Sequence, residues 1–169
     1  ARDFWFDPDS ATVLHEDARR ALLIRPDRHY DVIVGDAFTD IAVPSHLVTQ
    51  EFFQLVRDHL TSGGVFVMNV IDFQHRLEAL AAIHSTLSRV CPNVEIWTEQ
   101  RPPTPGERLV FVLVASDSAS PKDSLLLSAP DTKRFGVLSD RFVQTVLSPK
   151  GAPVLTDDYA PIDRLLGPG

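Results

Sequence analysis

Asp31-Val32-Ile33-Val34-Gly35-Asp36 is a compact β-branched run with little alternation, the pattern of a strand covered on both faces, as in a parallel sheet. It places Asp36 at the strand's carboxyl end. Upstream, Val13-Leu14-His15 predicts a short extended segment. Asp17 to Ile24 predicts a helix, rich in Ala, Leu and Arg and stopped by Pro26. Downstream, Thr49 offers an N-cap and Glu51 a first-turn acid. Phe52, Leu55, Val56 and Leu60 then follow at helical spacing until Gly63-Gly64, which reads as a helix terminator.

The unit repeats. Val65 to Ile71 is a second buried strand, and Leu77, Leu80, Ile83, Leu87 and Val90 mark the stripe of a second amphipathic helix ended by Pro92. Val94-Glu95-Ile96-Trp97 and the run Leu109 to Val114 are separated by a Pro- and Gly-rich stretch too short for a helix, so they are expected to pair antiparallel. Residues 116–150 are less regular, with a weak helix expected over 140–147. Strands alternating with helices, then a hairpin, predict an α/β domain with a mostly parallel sheet and a C-terminal antiparallel hairpin. Ligands of such sheets sit beyond the carboxyl ends of the strands. Asp17, Asp36 to Asp40, and Asn69 to Asp72 fall there.

A chain of 169 residues fits one domain, and 44% hydrophobic against 23% charged residues is enough to bury a core. The net charge of -7, with no basic run, argues against binding nucleic acid. Cys91 is the only cysteine, so no internal disulfide forms, and with no secretory start a cytoplasmic setting is expected. No apolar run approaches the roughly 20 residues that cross a bilayer. Three aromatics among residues 4–6 read like the end of a helix.

The six histidines show no pair at metal-binding spacing: in His15-Glu16-Asp17-Ala18-Arg19, Arg19 stands where a zinc helix needs its second histidine. No metal is expected. Neither a G-x-S-x-G elbow nor a phosphate-cradling glycine loop occurs. A carboxylate directly after a buried strand stands at the open rim, where it is a usable proton acceptor; Asp36 is such a residue, although an acid there also caps turns. Asp17 is equally either a ligand contact or the N-cap of the helix starting at Ala18.

Three stretches carry a resemblance: Asp31 to Phe38, Val43 to Phe53, and Leu60 to Val65. Together they resemble the central part of the spermidine synthase (polyamine aminopropyltransferase) family. Leu155-Thr156-Asp157-Asp158-Tyr159-Ala160-Pro161-Ile162-Asp163 is similar to the closing motif of its longer bacterial members. The resemblance implies a Rossmann-like, methyltransferase-type fold, residues 1–169 forming a single partial domain. It also implies transfer of an aminopropyl group from decarboxylated S-adenosylmethionine to a polyamine such as putrescine. Asp36 then matches the catalytic acid, Asp17 the adenine contact, and Ala37 and Phe38 the residues flanking the nucleoside. Residues 39–47 match the lid, Asp40 stands one place later than the family's second acid, and Asn69 replaces a substrate-binding Gln.

The family's glycine-rich loop and ribose-binding acid would precede residue 1. The resemblance therefore implies an open sheet edge, to be covered by the first strand or by a partner chain, a homo-oligomer included, and weak nucleoside binding by this chain alone. Two alternatives stay open: a methyltransferase using S-adenosylmethionine, and a non-catalytic binding or assembly module of the same fold.

Overall fold

A computed structural model describes residues 11–37, 42–128, 132–148 and 151–166. Phe38, Asp40 and the aromatic start lie outside them. The elements are helices α1 (Ala18–Leu23), α2 (Gln50–Asp58), α3 (Glu78–Leu87), α4 (Asp140–Phe142) and α5 (Ile162–Leu166), with strands β1 (Tyr30–Gly35), β2 (Leu60–Phe73), β3 (Asn93–Glu99), β4 (Arg108–Ser116), β5 (Ser124–Leu127) and β6 (Lys133–Val137).

The six strands form one sheet in the order β1-β2-β4-β3-β6-β5. β1 pairs with β2 in parallel, and the other four neighbouring pairs are antiparallel. β1, β2 and β3 nevertheless point the same way, because β4 runs against them from its place between β2 and β3. The expected parallel arrangement is thus present in strand direction, and as direct pairing only between β1 and β2. The expected β3–β4 hairpin is there, with Val94 opposite Ala115 and Trp97 opposite Val112.

Phe66, Met68 and Val70 of β2, Phe111, Leu113 and Ala115 of β4, and Ile96 of β3 are buried with Phe52, Phe53 and Val56 of α2 and with Leu80, Ile83 and Leu87 of α3. The opposite face is barer. Val32 and Val34 of β1 are 57% and 66% exposed, so β1 is covered on one face rather than on both. Ile33 alone of its β-branched residues packs against the core, since α2 and α3 lie on one side and no described element covers β1 on the other.

Four expectations change in detail. Val13-Leu14-His15 forms no strand; Val13 and Leu14 are exposed. α2 begins as predicted, with Thr49 Oγ1 accepting from Phe52 N at 3.2 Å, but ends at Asp58. Gly63-Gly64 lies inside β2, at a break in register where Tyr30 faces Leu60 and Val32 faces Val65. Gly63 has φ 77 and a Cβ on Gly64 would sit 2.9 Å from Thr61 O, so a bulge needs both glycines. The β5–β6 hairpin arises in the stretch left irregular, where Ser124-Leu125-Leu126-Leu127 shows no alternation. Residues 140–147 are helical as expected, Val143–Leu147 in π form.

The closing motif is docked on the core. Gln50 N donates to Leu155 O at 2.8 Å, Leu155 N donates to Thr86 Oγ1 at 2.9 Å, and Leu155 and Ile162 are fully buried. No described helix is long and apolar enough to cross a membrane.

Candidate functional site

β1 delivers Asp36 to the rim of the sheet one residue past Gly35, which lies opposite Met68. A Cβ on Gly35 would come 3.1 Å from the Phe66 ring, so glycine lets the strand end close against β2. This register sets Asp36 level with Asn69. Asn69 Nδ2 donates to Asp36 Oδ1 at 3.2 Å, and among the described residues it is Asp36's one hydrogen-bond partner. The Asp36 side chain is exposed, and among the described residues no main-chain amide donates to it.

Asn69 Oδ1 is buried and has no partner among the described residues. Leaving a buried acceptor unpaired costs about 1–3 kcal/mol, so its place beside a carboxylate is informative. The exposed Asp36 carboxylate keeps lone pairs beyond the one that Asn69 Nδ2 takes, a setting complementary to a cationic group carrying several N–H bonds. Ala37 follows, half-buried against the edge of the core.

Asp17 is the N-cap of α1, as the local reading expects: Oδ1 accepts from Arg20 N at 3.0 Å. Its Oδ2 meets His46 Nε2 at 2.6 Å, in the 3-10 turn Ser45–Leu47 that precedes α2. The His46 bond, then the Arg20 amide, hold the Asp17 carboxyl below its usual value. The side chain stays 42% exposed, so its remaining lone pairs are open to a ligand.

Arg19, two residues on, is clamped by Asp157 of the closing motif through two parallel bonds of 2.7 and 2.6 Å, the planar fork a guanidinium makes with a carboxylate. Asp157 also accepts from Thr49 Oγ1 at 2.8 Å, and its own N–H donates to Glu51 Oε2 at 3.0 Å. The Arg19 pair, with the Thr49 bond, keeps the Asp157 carboxyl below the ordinary range. Arg19 reaches His46 O as well, at 3.4 Å. Sequence reasoning gave no role to Arg19 or Asp157, and placed His46 only within the lid stretch 39–47.

Asp72, grouped above with the rim acids, is 1% exposed and turned inward. Its Oδ1 accepts from Phe73 N at 2.7 Å and its Oδ2 from Leu80 N at 3.0 Å. It caps α3 from the end of β2, because Leu77 at the N-cap position is left-handed with φ 55 and supplies no side-chain bond. Asp36, Ala37 and Asn69 are thus together, Asp17 stands on α1, and Asp72 is structural. Among the described residues no group of three or more His, Cys, Asp or Glu side chains gathers as metal ligands.

Residues 4–123 match the family model for the spermine/spermidine synthase domain. The chain belongs to the spermine/spermidine synthase family. A probable polyamine aminopropyl transferase of Bifidobacterium longum is 30% identical to it, across 98% of this chain and 40% of its own length. The chain therefore spans less than half of that relative. A probable spermidine synthase from Corynebacterium glutamicum has the same fold, with a TM-score of 0.71 at 19% identity over 92% of this chain and 58% of that one. Human methyltransferase-like protein 13, solved in complex with SAH, matches with a TM-score of 0.50 at 23% identity over 70% of this chain and 53% of its own. The spermine/spermidine synthase family fold seen here is thus the Rossmann-like one shared with methyltransferases, with β4 and β6 running against β1, β2 and β3.

Proposed function

We propose that this chain carries the amine-activating side of an aminopropyl transfer site. The observation behind the reading is the exposed Asp36 carboxylate at the end of β1, held by the Asn69 amide beside it. An amine such as putrescine arrives as an ammonium, whose nitrogen has no lone pair. Asp36 holds the cation and takes its proton, while the Asn69 amide, bonded to Asp36 Oδ1, fixes the direction of the carboxylate. The freed lone pair attacks the propyl carbon bonded to the sulfonium of decarboxylated S-adenosylmethionine. A C–N bond forms, the C–S bond breaks with its electrons passing to sulfur, and methylthioadenosine leaves.

In this reading Asp17 accepts from the adenine amino group on the lone pairs that His46 and Arg20 leave free. Ala37 and Phe38 border the nucleoside, and Asp40 holds the far end of the amine. The relative named as a polyamine aminopropyl transferase supports the transferred group. Product analysis tests it, on the protein in the longest form its gene encodes. Offered decarboxylated S-adenosylmethionine and putrescine, the protein is expected to release methylthioadenosine and an amine longer by one aminopropyl group. Release of S-adenosylhomocysteine from S-adenosylmethionine instead would make it a methyltransferase.

A further inference from the structure

α1 buries none of its side chains; among the described residues Leu22, partly buried, is its one hydrophobic side chain packed against the core. Burial fixes most helices of this length, because short helices have little stability of their own. This one is held by polar pins at its N-terminal end. Asp157 grips Arg19 with two bonds, is itself fixed by Thr49 Oγ1 and by its amide on Glu51, and His46 grips Asp17. Thr49 and Glu51 lie at the start of α2, whose Phe52, Phe53 and Val56 are buried in the core. The chain of contacts therefore runs from rigid core through Asp157 and Arg19 to Asp17.

We propose that Asp157 is a positioning residue: acting through Arg19, it sets where α1 holds Asp17, and so how well the nucleoside half of the site is preformed. This rests on the reading in which Asp17 contacts the nucleoside. Asp36 and Asn69 stand on β1 and β2, which pair directly and owe nothing to this brace. The two halves should therefore separate.

The test is Asp157→Asn, which keeps shape but removes the charge that grips Arg19, in the longest form of the protein. If the fraction of molecules with Asp17 in place falls to about one tenth, the nucleoside KM rises about tenfold, since apparent affinity scales with the competent population. The amine KM and kcat, measured at saturating nucleoside, are expected to stay within about twofold. A loss of folded protein would lower kcat and leave both KM values alone. The double variant Arg19→Met with Asp157→Asn should be no worse than the poorer single one, as both break one contact. Hydrogen exchange gives a readout free of activity: the amides of Arg20 and Ala21, bonded to Asp17, exchange faster in Asp157→Asn, while Leu80 N does not. An unchanged nucleoside KM, an equal rise in the amine KM, or unchanged exchange in α1 would overturn the proposal. If the unaltered protein transfers nothing, the functional reading fails, and the exchange experiment alone then decides for or against the brace.

Discussion

Replacing Asp36 with asparagine is expected to lower aminopropyl transfer by about 10²- to 10⁴-fold, the usual worth of a positioned proton acceptor. The substitution is nearly isosteric, and the Asn69 Nδ2 bond survives because an amide oxygen still faces it. The side chain is exposed, so stability should be unchanged. What disappears is the charge that holds the ammonium and the base that removes its proton. Both losses are repaired in part by alkali: as pH rises toward about 10, near the ordinary pKa of an alkyl ammonium, more amine reaches the site already deprotonated. The variant's deficit should therefore shrink by about tenfold per pH unit until that range, whereas the unaltered protein is much less sensitive. A variant with normal transfer at neutral pH would remove Asp36 from the chemistry.

Asp72→Ala is expected to destabilise the fold by about 3 kcal/mol. The estimate joins a lost helix cap, about 0.5–2 kcal/mol, to the cost of stranding a buried amide, about 1–3 kcal/mol. Phe73 N and Leu80 N both lose their acceptor, at a position 1% exposed. α3 cannot shift to compensate, since Ala79, Leu80, Ala82 and Ile83 are fully buried. The Asp72 carboxyl is itself pushed up by burial, against the pull of the Leu80 and Phe73 amides. Asp72→Asn, which removes the buried charge and keeps one acceptor, should therefore lose less than half as much. Urea unfolding decides it: the midpoint of Asp72→Ala falls by about 1–3 M for a slope of about 1–3 kcal/mol/M. A loss below about 0.5 kcal/mol would mean that other groups satisfy those amides.

What the sequence could disclose was local, and what it hid was pairing at long range. A β-branched run ending in Asp36 announces a strand and an acid at its end, and the short Pro-rich link before Leu109 leaves a hairpin as the natural connection. Whether that strand is covered on both faces depends on which elements pack there, and Val32 and Val34 show that one face is bare. Gly63-Gly64 after an amphipathic helix reads as a terminator because left-handed glycine serves helix ends and bulges alike. Only the pairing of Tyr30 with Leu60 and of Val32 with Val65 selects the bulge. Asp72 looks like a rim acid until Leu77 is seen to be left-handed, which leaves α3 in need of a cap from elsewhere. Asp17 was legible as an N-cap within its own helix. Its partner His46 is 29 residues away, and Arg19 and Asp157 are separated by 138, distances over which no local pattern reports contact.

The central claim is that a cationic amine sits on Asp36, beside Asn69, and it is open to direct observation. In a titration of the isotope-labelled protein with putrescine followed by NMR, the side-chain amide of Asn69 and the backbone amides of Asp36 and Ala37 are expected to shift together and saturate, and to stay still in Asp36→Asn. Saturating shifts elsewhere, with these three signals unmoved, would contradict the account.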